Sequence, residues 1–302
     1  MGPTASGKTR LAVQLAQALG GEVISVDSAL VYRGMDIGTA KPDAAERQGV
    51  PHHLIDILDP AEAYSTGRFR AETLALMADI TDRGRLPILA GGTMLYFNAL
   101  FHGLSALPTA DPEIRRQIDA EAEVHGWPAM HAELARIDPA AAARIHPKDP
   151  QRIQCALEVY RLTGTPLTVL CAETVAAPLP FELAKLVVAP ADREALHERI
   201  RLRFLEMIER GFVEEVAALY ERGDLHPDLP SIRAVGYRQV WAHLAGELDR
   251  DTLIDRAVIA TRQFAKRQFT WLKRESDAAM LCSEDPRLAD TALRAVAEAI
   301  GR

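Results

Sequence analysis

An α/β fold built on a parallel sheet is predicted by two features of this chain: a phosphate-cradling loop at its start and the strand–helix alternation behind it. A third feature, repeated helix-start signals from about Pro108 onward, predicts an all-helical insertion in that sheet domain.

The loop is Gly2-Pro3-Thr4-Ala5-Ser6-Gly7-Lys8-Thr9, which fits G-x-x-x-x-G-K-[ST]. Its glycines let successive backbone N–H groups turn inward around phosphate oxygens. Lys8 adds a point charge, and the Thr9 hydroxyl suits Mg²⁺. A helix starting near Gly7 aims the positive end of its dipole at the same anion. A di- or triphosphate ligand follows. Only Met1 precedes the loop, whereas such a loop normally follows a buried strand, so the expectation is a P-loop NTPase-like core whose first strand is missing from the start of the chain.

Leu11, Leu15 and Leu19 with Ala12 and Ala16 make a helical stripe that stops at Gly20-Gly21. Residues 22–27 read as a short buried strand ending in the carboxylate of Asp27, and Leu54-Ile-Asp-Ile-Leu58 as another strand. Phe69, Thr73, Leu76, Met77 and Ile80 mark a helix ending by Gly84, and residues 86–90 a strand entering Gly91-Gly92-Thr93. Ligands of such sheets sit at the carboxyl ends of strands, where the loop, Asp27 and Gly91-Gly92-Thr93 all fall.

From Pro108 the texture changes. Asp111-Pro112, Asp138-Pro139 and Asp149-Pro150 each set an N-cap before a proline at the first helical position, predicting three short helices with stops at Gly126 and Gly164. Residues 110–180 are therefore expected to form the helical insertion, closing with the loop Ala176-Ala-Pro-Leu-Pro180. Residues 1–109 and 181–302 would form the discontinuous core, with strands at Lys185–Ala189 and Ala279–Cys282.

Composition is that of an ordinary soluble globular protein: 302 residues, 48% hydrophobic, 25% charged, net charge −7. Cys155, Cys171 and Cys282 are scattered, with no C-x-x-C pair, and read as reduced packing residues without a metal role. No signal peptide stands out, and no apolar run approaches the roughly 18 residues that span a bilayer, so a cytoplasmic setting without membrane association is expected. The acidic average hides one exception. Arg256, Arg262, Lys266, Arg267, Lys273 and Arg274 fall in a stretch with no acidic residue, which suggests a polyanion surface. His52-His53 reads as strand entry rather than a metal site, because adjacent side chains of an extended chain point to opposite faces. Trp127, Trp241 and Trp271 read foremost as packing residues.

Taken together, Gly2–Thr9, Ser25-Val-Asp-Ser-Ala-Leu30, Met35-Asp-Ile-Gly-Thr-Ala-Lys-Pro42, Gly91-Gly-Thr-Met-Leu-Tyr96, Asp149-Pro-Gln-Arg152, Ser231-Ile-Arg-Ala-Val-Gly-Tyr-Arg238 and Thr261-Arg-Gln-Phe-Ala-Lys-Arg-Gln-Phe-Thr-Trp271 resemble the tRNA dimethylallyltransferase family over nearly the whole chain. That resemblance implies transfer of a dimethylallyl group from dimethylallyl diphosphate to N6 of the adenine just 3′ of a tRNA anticodon. It implies that the loop holds the diphosphate leaving group, with Arg203 as a second cation. Read alone, Asp27 fits either a Mg²⁺ ligand or a base. The resemblance implies the general base, with Thr93 as hydrogen-bonding partner or helix N-cap. It further implies RNA contacts from Asp27, Ser28, Ala29 and Leu30, from Arg233, Gly236, Tyr237 and Arg238, and from Lys266, Arg267, Gln268, Trp271 and Lys273. Arg115, Gln151 and Arg152 of the insertion would clasp the anticodon stem-loop. Cys155 stands where the family carries a basic residue and cannot make a charged phosphate contact. A monomer is the simplest expectation. The competing readings are a P-loop small-molecule or nucleotide kinase and a non-catalytic RNA-binding protein. The first leaves the acid-free basic stretch unexplained, and the second leaves Asp27 and Thr93 without roles.

Overall fold

The computed structural model describes residues 1–105, 107–173 and 179–301. Two compact units emerge, Met1–Ala99 with Pro180–Arg302, and Leu100–Leu179. The predicted loop 176–180 falls largely outside the described residues.

The first unit opens with helix α1 (Lys8–Leu19), strand β1 (Gly21–Val26), a single turn α2 (Ala44–Arg47), strand β2 (His52–His53), helix α3 (Thr66–Asp82), strand β3 (Leu86–Gly91) and helix α4 (Met94–His102). The three strands pair in parallel in the order β2-β1-β3, with Val23 between His52 and Ile88. β1 is buried along its length, as a central parallel strand must be, which its run Val23, Ile24, Val26 allows. Its one carboxylate, Glu22, is held by Arg83, Arg85 and His53. Bonding to Arg83 draws its pKa down to about 2, so the charge persists at the foot of the sheet. Ala12, Val13 and Ala16 of α1 pack on Val23 and Val50. Their 3–4 spacing gives α1 one apolar face and directs its N-terminus to the carboxyl ends of the strands.

One expected strand is misplaced. The ladder uses His52–His53, while Leu54 (φ 61°) and Asp56 (φ 57°) adopt left-handed backbone that no strand tolerates. Leu54 and Leu58 are buried all the same, and only Leu58 makes a bridge, to Tyr32.

The second unit contains α5 (Pro112–His125), α6 (Trp127–Ile137), α7 (Pro139–Arg144), α8 (Pro150–Thr163) and α9 (Leu167–Glu173). Asp111, Asp138 and Asp149 each cap a helix that has proline in its first turn. Five helices stand where three were expected, because α6 starts at Gly126 without a side-chain cap and α9 has no N-cap signal in the sequence. Ile118, Met130, Leu134, Ile153 and Leu157 close their core.

The chain returns to the first unit as β4 (Leu186–Ala189), α10 (Arg193–Glu209), α11 (Phe212–Tyr220), α12 (Tyr237–Leu244), α13 (Arg250–Leu272), β5 (Ala279–Cys282) and α14 (Leu288–Ala299). β4 and β5 form a second parallel pair. Met1 runs beside β4: its amino group donates to Leu186 O and its carbonyl accepts from Val188 N, so the phosphate loop leaves directly from that edge. Leu11 and Leu15 of α1 pack on Val188, Leu281 and Ala292, which joins the helix behind the loop to this second pair. Among the described residues, no helix is long and apolar enough to cross a membrane.

Candidate active site

The phosphate loop is built tightly. Gly7 takes left-handed backbone (φ 78°) at the N-cap of α1, leaving the first helical N–H groups facing outward. A Cβ at Gly2 would overlap Val188 O, so the loop start lies against β4. Lys8 Nζ donates to Pro3 O at 2.6 Å, folding the cation back across its own loop. Thr4, Ala5, Ser6, Gly7, Lys8 and Thr9 line a cavity of about 560 Å³; Gly2 and Pro3, expected to face the phosphates, are buried behind it.

Gln268 explains how the loop is fastened. Its Oε1 accepts from Thr4 N at 2.9 Å and its Nε2 donates to Gly92 O at 2.8 Å, tying the loop to the end of β3. Gln268 is 4% exposed, and both ends of its amide are used inside the protein. Gln268→Leu strands Thr4 N–H and Gly92 C=O, each at a cost of about 1–3 kcal/mol. Denaturant unfolding should show that loss, and the KM for a diphosphate donor should rise with it.

Asp27 follows β1 and lies in the walls of this cavity and of a second one of about 420 Å³. Its Oδ1 accepts from Ala29 N at 2.9 Å, and the Leu30 N–H bonds the same carboxylate, so the turn that follows β1 is built on this side chain. Burial pushes its pKa up, against the opposing pull of the Ala29 N–H, Lys8 and Arg203. Burial likewise brings Lys8 down to about 8, partly countered by Asp27. Arg203, from α10, is in both cavity walls, and burial lowers it too, with Asp27 acting in the other direction. One carboxylate thus interacts with two cations in a partly buried setting, where such charges interact more strongly than in bulk water.

Thr93 Oγ1 accepts from Ser28 N at 3.0 Å, and Thr93 N donates to Val26 O, so the residue fixes the turn after Asp27. It lines the second cavity with Ser28 and Ala29; Leu30 lines the first. Arg233, Gly236 and Arg267 border the second cavity as well. Arg267 is exposed, its guanidinium 5.8 Å from the Phe264 ring centroid. Lys266, Lys273 and Arg238 are exposed, whereas Trp271 is half-buried under Arg274. Tyr237 borders the second cavity as well. It is fully buried, its hydroxyl bonded to Glu215. In the second unit, Gln151 and Arg152 are exposed at the start of α8, with Arg152 on Asp149, and Arg115 is clamped by buried Glu158. Cys155 is partly buried, and burial raises its thiol, which stays neutral.

Sequence reasoning missed Met207 and Phe264, which line both cavities, and Thr39, which does the same from the loop after β1. The 3–4 spacing of Ala265, Gln268 and Leu272, all buried, was the signal for which face of α13 turns inward.

Comparison with known proteins points to one family. The family model described as IPP transferase matches residues 30–275. A tRNA dimethylallyltransferase of Methylococcus capsulatus is 64% identical over 98% of this chain and 95% of its own. One from Thioalkalivibrio sulfidiphilus is 62% identical over 90% and 85%. Among solved structures, a tRNA isopentenylpyrophosphate transferase from Bacillus halodurans matches with TM-score 0.73 and 38% identity, covering 99% of this chain and 95% of that one. A eukaryotic dimethylallyltransferase acting on tRNA matches with TM-score 0.81 and 31% identity, covering 99% and 77%.

Proposed function

The chain belongs to the IPP transferase family, and from that premise we propose that it transfers a dimethylallyl group from dimethylallyl diphosphate to N6 of the adenine 3′-adjacent to a tRNA anticodon. The observation that carries the reading is the sharing of Asp27 by two cavities. One holds the phosphate loop; the other is bordered by Arg233 and Arg267. A donor diphosphate in the first and an unstacked base in the second meet at the carboxylate. The relatives' names favour this reading over a kinase.

The chemistry follows from the residues. The lone pair of an adenine N6 amine is delocalised into the ring, which makes it a poor nucleophile. Asp27 takes the N6 proton as the carbon–nitrogen bond forms and the bond from carbon to the diphosphate oxygen breaks. Lys8, Arg203 and the loop N–H groups take up the charge that develops on the departing diphosphate. Thr93 keeps the turn carrying Asp27 in place.

Among the described residues there is no cluster of three or more His, Cys, Asp or Glu side chains fit to hold a metal. Mg²⁺ fits nonetheless through Thr9, since this ion draws most of its ligands from substrate phosphates and water. Bound there, it would neutralise charge on the leaving diphosphate.

The basic face of α13 would track the RNA backbone, and the helical unit with Arg115, Gln151 and Arg152 would grip the anticodon stem-loop. A monomer working in the cytoplasm suits a tRNA substrate. Replacing Lys266 and Arg267 together by Ala should weaken stem-loop binding and reduce the slope of log K against log salt by about 0.7 for each phosphate no longer neutralised. An unchanged slope in a salt titration removes this face from the interface.

The deciding experiment is single-turnover transfer of labelled dimethylallyl diphosphate, with Mg²⁺, to an anticodon stem-loop carrying consecutive adenines after the anticodon. Label in the RNA is the expected result. Phosphate transfer from ATP to a small acceptor, with no label in RNA, would hand the site to a kinase.

A further inference from the structure

The segment Met35–Pro42 stands out in the sequence yet has no part in the chemistry above. Its tip is captured from outside. The Glu215 carboxylate of α11 accepts three successive backbone N–H groups, from Asp36 at 2.9 Å, Ile37 at 2.7 Å and Gly38 at 3.2 Å. The Tyr237 hydroxyl donates to the same carboxylate. Three converging N–H groups make a concave anion seat, filled here by a side chain of the protein itself. Gly38 is pressed so closely on the Phe212 and Tyr237 rings that a Cβ would overlap both. At the base of the loop, Lys41 Nζ donates to Tyr32 O at 2.7 Å and bonds Asp36 and Asp56. Base and tip meet at Asp36, whose side chain bonds Lys41 while its N–H donates to Glu215, so Ile37 and Gly38 are the tip residues that Glu215 holds without help from Lys41.

The tip forms cavity wall. Ile37 and Thr39 line the phosphate-loop cavity, and Gly38 and Thr39 line the cavity beside it. Ile37 joins Leu30, Ile55, Met207, Leu202 and Phe264 in the apolar lining of the cavity that the phosphate loop borders. A donor anchored by its diphosphate must fit its hydrocarbon against these apolar side chains, so the stand-off of the tip limits chain length.

We propose that Glu215 is a positioning residue that sets donor-length specificity by clamping the 36–38 tip against the hydrocarbon of the isoprenoid diphosphate. The inference rests on the prenyl-transfer reading. It assigns Tyr237 a part in the same device, as the buried donor that orients the Glu215 carboxylate. Burial raises the Tyr237 hydroxyl well above its ordinary pKa, so it remains protonated and donating.

The test compares kcat/KM for dimethylallyl diphosphate and for geranyl diphosphate, one isoprene unit longer, on the full chain with an anticodon stem-loop. Glu215→Ala releases the tip, and the preference for the shorter donor should fall about tenfold or more, the scale on which apolar pockets discriminate chain length. Glu215→Gln keeps the shape but exchanges one acceptor oxygen for an amide donor, and should fall between wild type and Ala. Tyr237→Phe removes only the hydroxyl and should lower the preference less than Glu215→Ala. Unfolding midpoints for all variants separate loosening of the tip from general destabilisation. Equal losses with both donors, leaving the ratio unchanged in Glu215→Ala, overturn the proposal. If the wild-type chain transfers neither donor, the prenyl-transfer reading fails instead.

Discussion

Asp27→Asn should leave tRNA and donor binding near wild type while single-turnover transfer falls by about a hundredfold to ten-thousandfold, the range a general base supplies. Asn preserves the volume and one carbonyl oxygen, so the bond from Ala29 N to position 27 survives and the turn over residues 27–30 should hold. What disappears is the ability to take a proton. The pH profile offers a second readout. Burial raises the pKa of Asp27, so the base protonates at a higher pH than an exposed aspartate. Activity should therefore fall on the acidic side as pH drops through that raised value, and the descending limb should vanish in the Asn variant. Turnover like that of wild type, or an intact acidic limb in Asp27→Asn, removes the residue from the base role.

The parts of this site that depend on local pattern were legible. The glycine spacing of residues 2–9, the apolar run of β1 ending at Asp27 and the entry of β3 into Gly91-Gly92 each follow from a few neighbouring residues. The parts decided by distant partners were not. Leu54–Leu58 has the apolar character of a strand, but its hydrophobic side chains are buried by a loop whose backbone turns left-handed at Leu54 and Asp56. Gln268 sits inside a basic stretch, and its true neighbours are Thr4 and Gly92, both far from it in the sequence. Tyr237 lies beside Arg238 in a segment read as RNA-facing, yet one helical step turns it onto Phe212 while Arg238 stays in solvent. Charge along a helix predicts which residues meet water; it does not predict which uncharged polar neighbour the core will use. The missed helix α6 teaches the same lesson about caps, since Gly126 starts it with backbone alone.

Lys8→Ala should act on the donor side of the same reaction. Lys8 lies in the cavity wall with Thr9 and Arg203, and its ammonium donates to Pro3 O within the loop. Removing the charge takes away stabilisation of both the bound diphosphate and the departing one, so KM for dimethylallyl diphosphate should rise and kcat should fall with it. A combined loss of about 3–4 kcal/mol in kcat/KM, a few hundredfold, matches the removal of one preorganised donor to a developing anion. Stem-loop affinity should not change, which separates this variant from the basic-face variants on α13. The wild-type pH profile carries the matching signature. Burial lowers Lys8 to about 8, so the charged form dominates below that pH and is lost above it. KM for the donor should accordingly climb as pH rises through about 8, while an Asp27 effect appears only on the acidic side. Lys8→Arg keeps a cation at every accessible pH and should abolish the alkaline rise even if its bulkier fork lowers the maximum rate. A donor KM that stays flat as pH rises through about 8 in the wild type, or a Lys8→Ala variant that binds dimethylallyl diphosphate as tightly as wild type, would show that the loop N–H groups and Arg203 hold the diphosphate without this side chain.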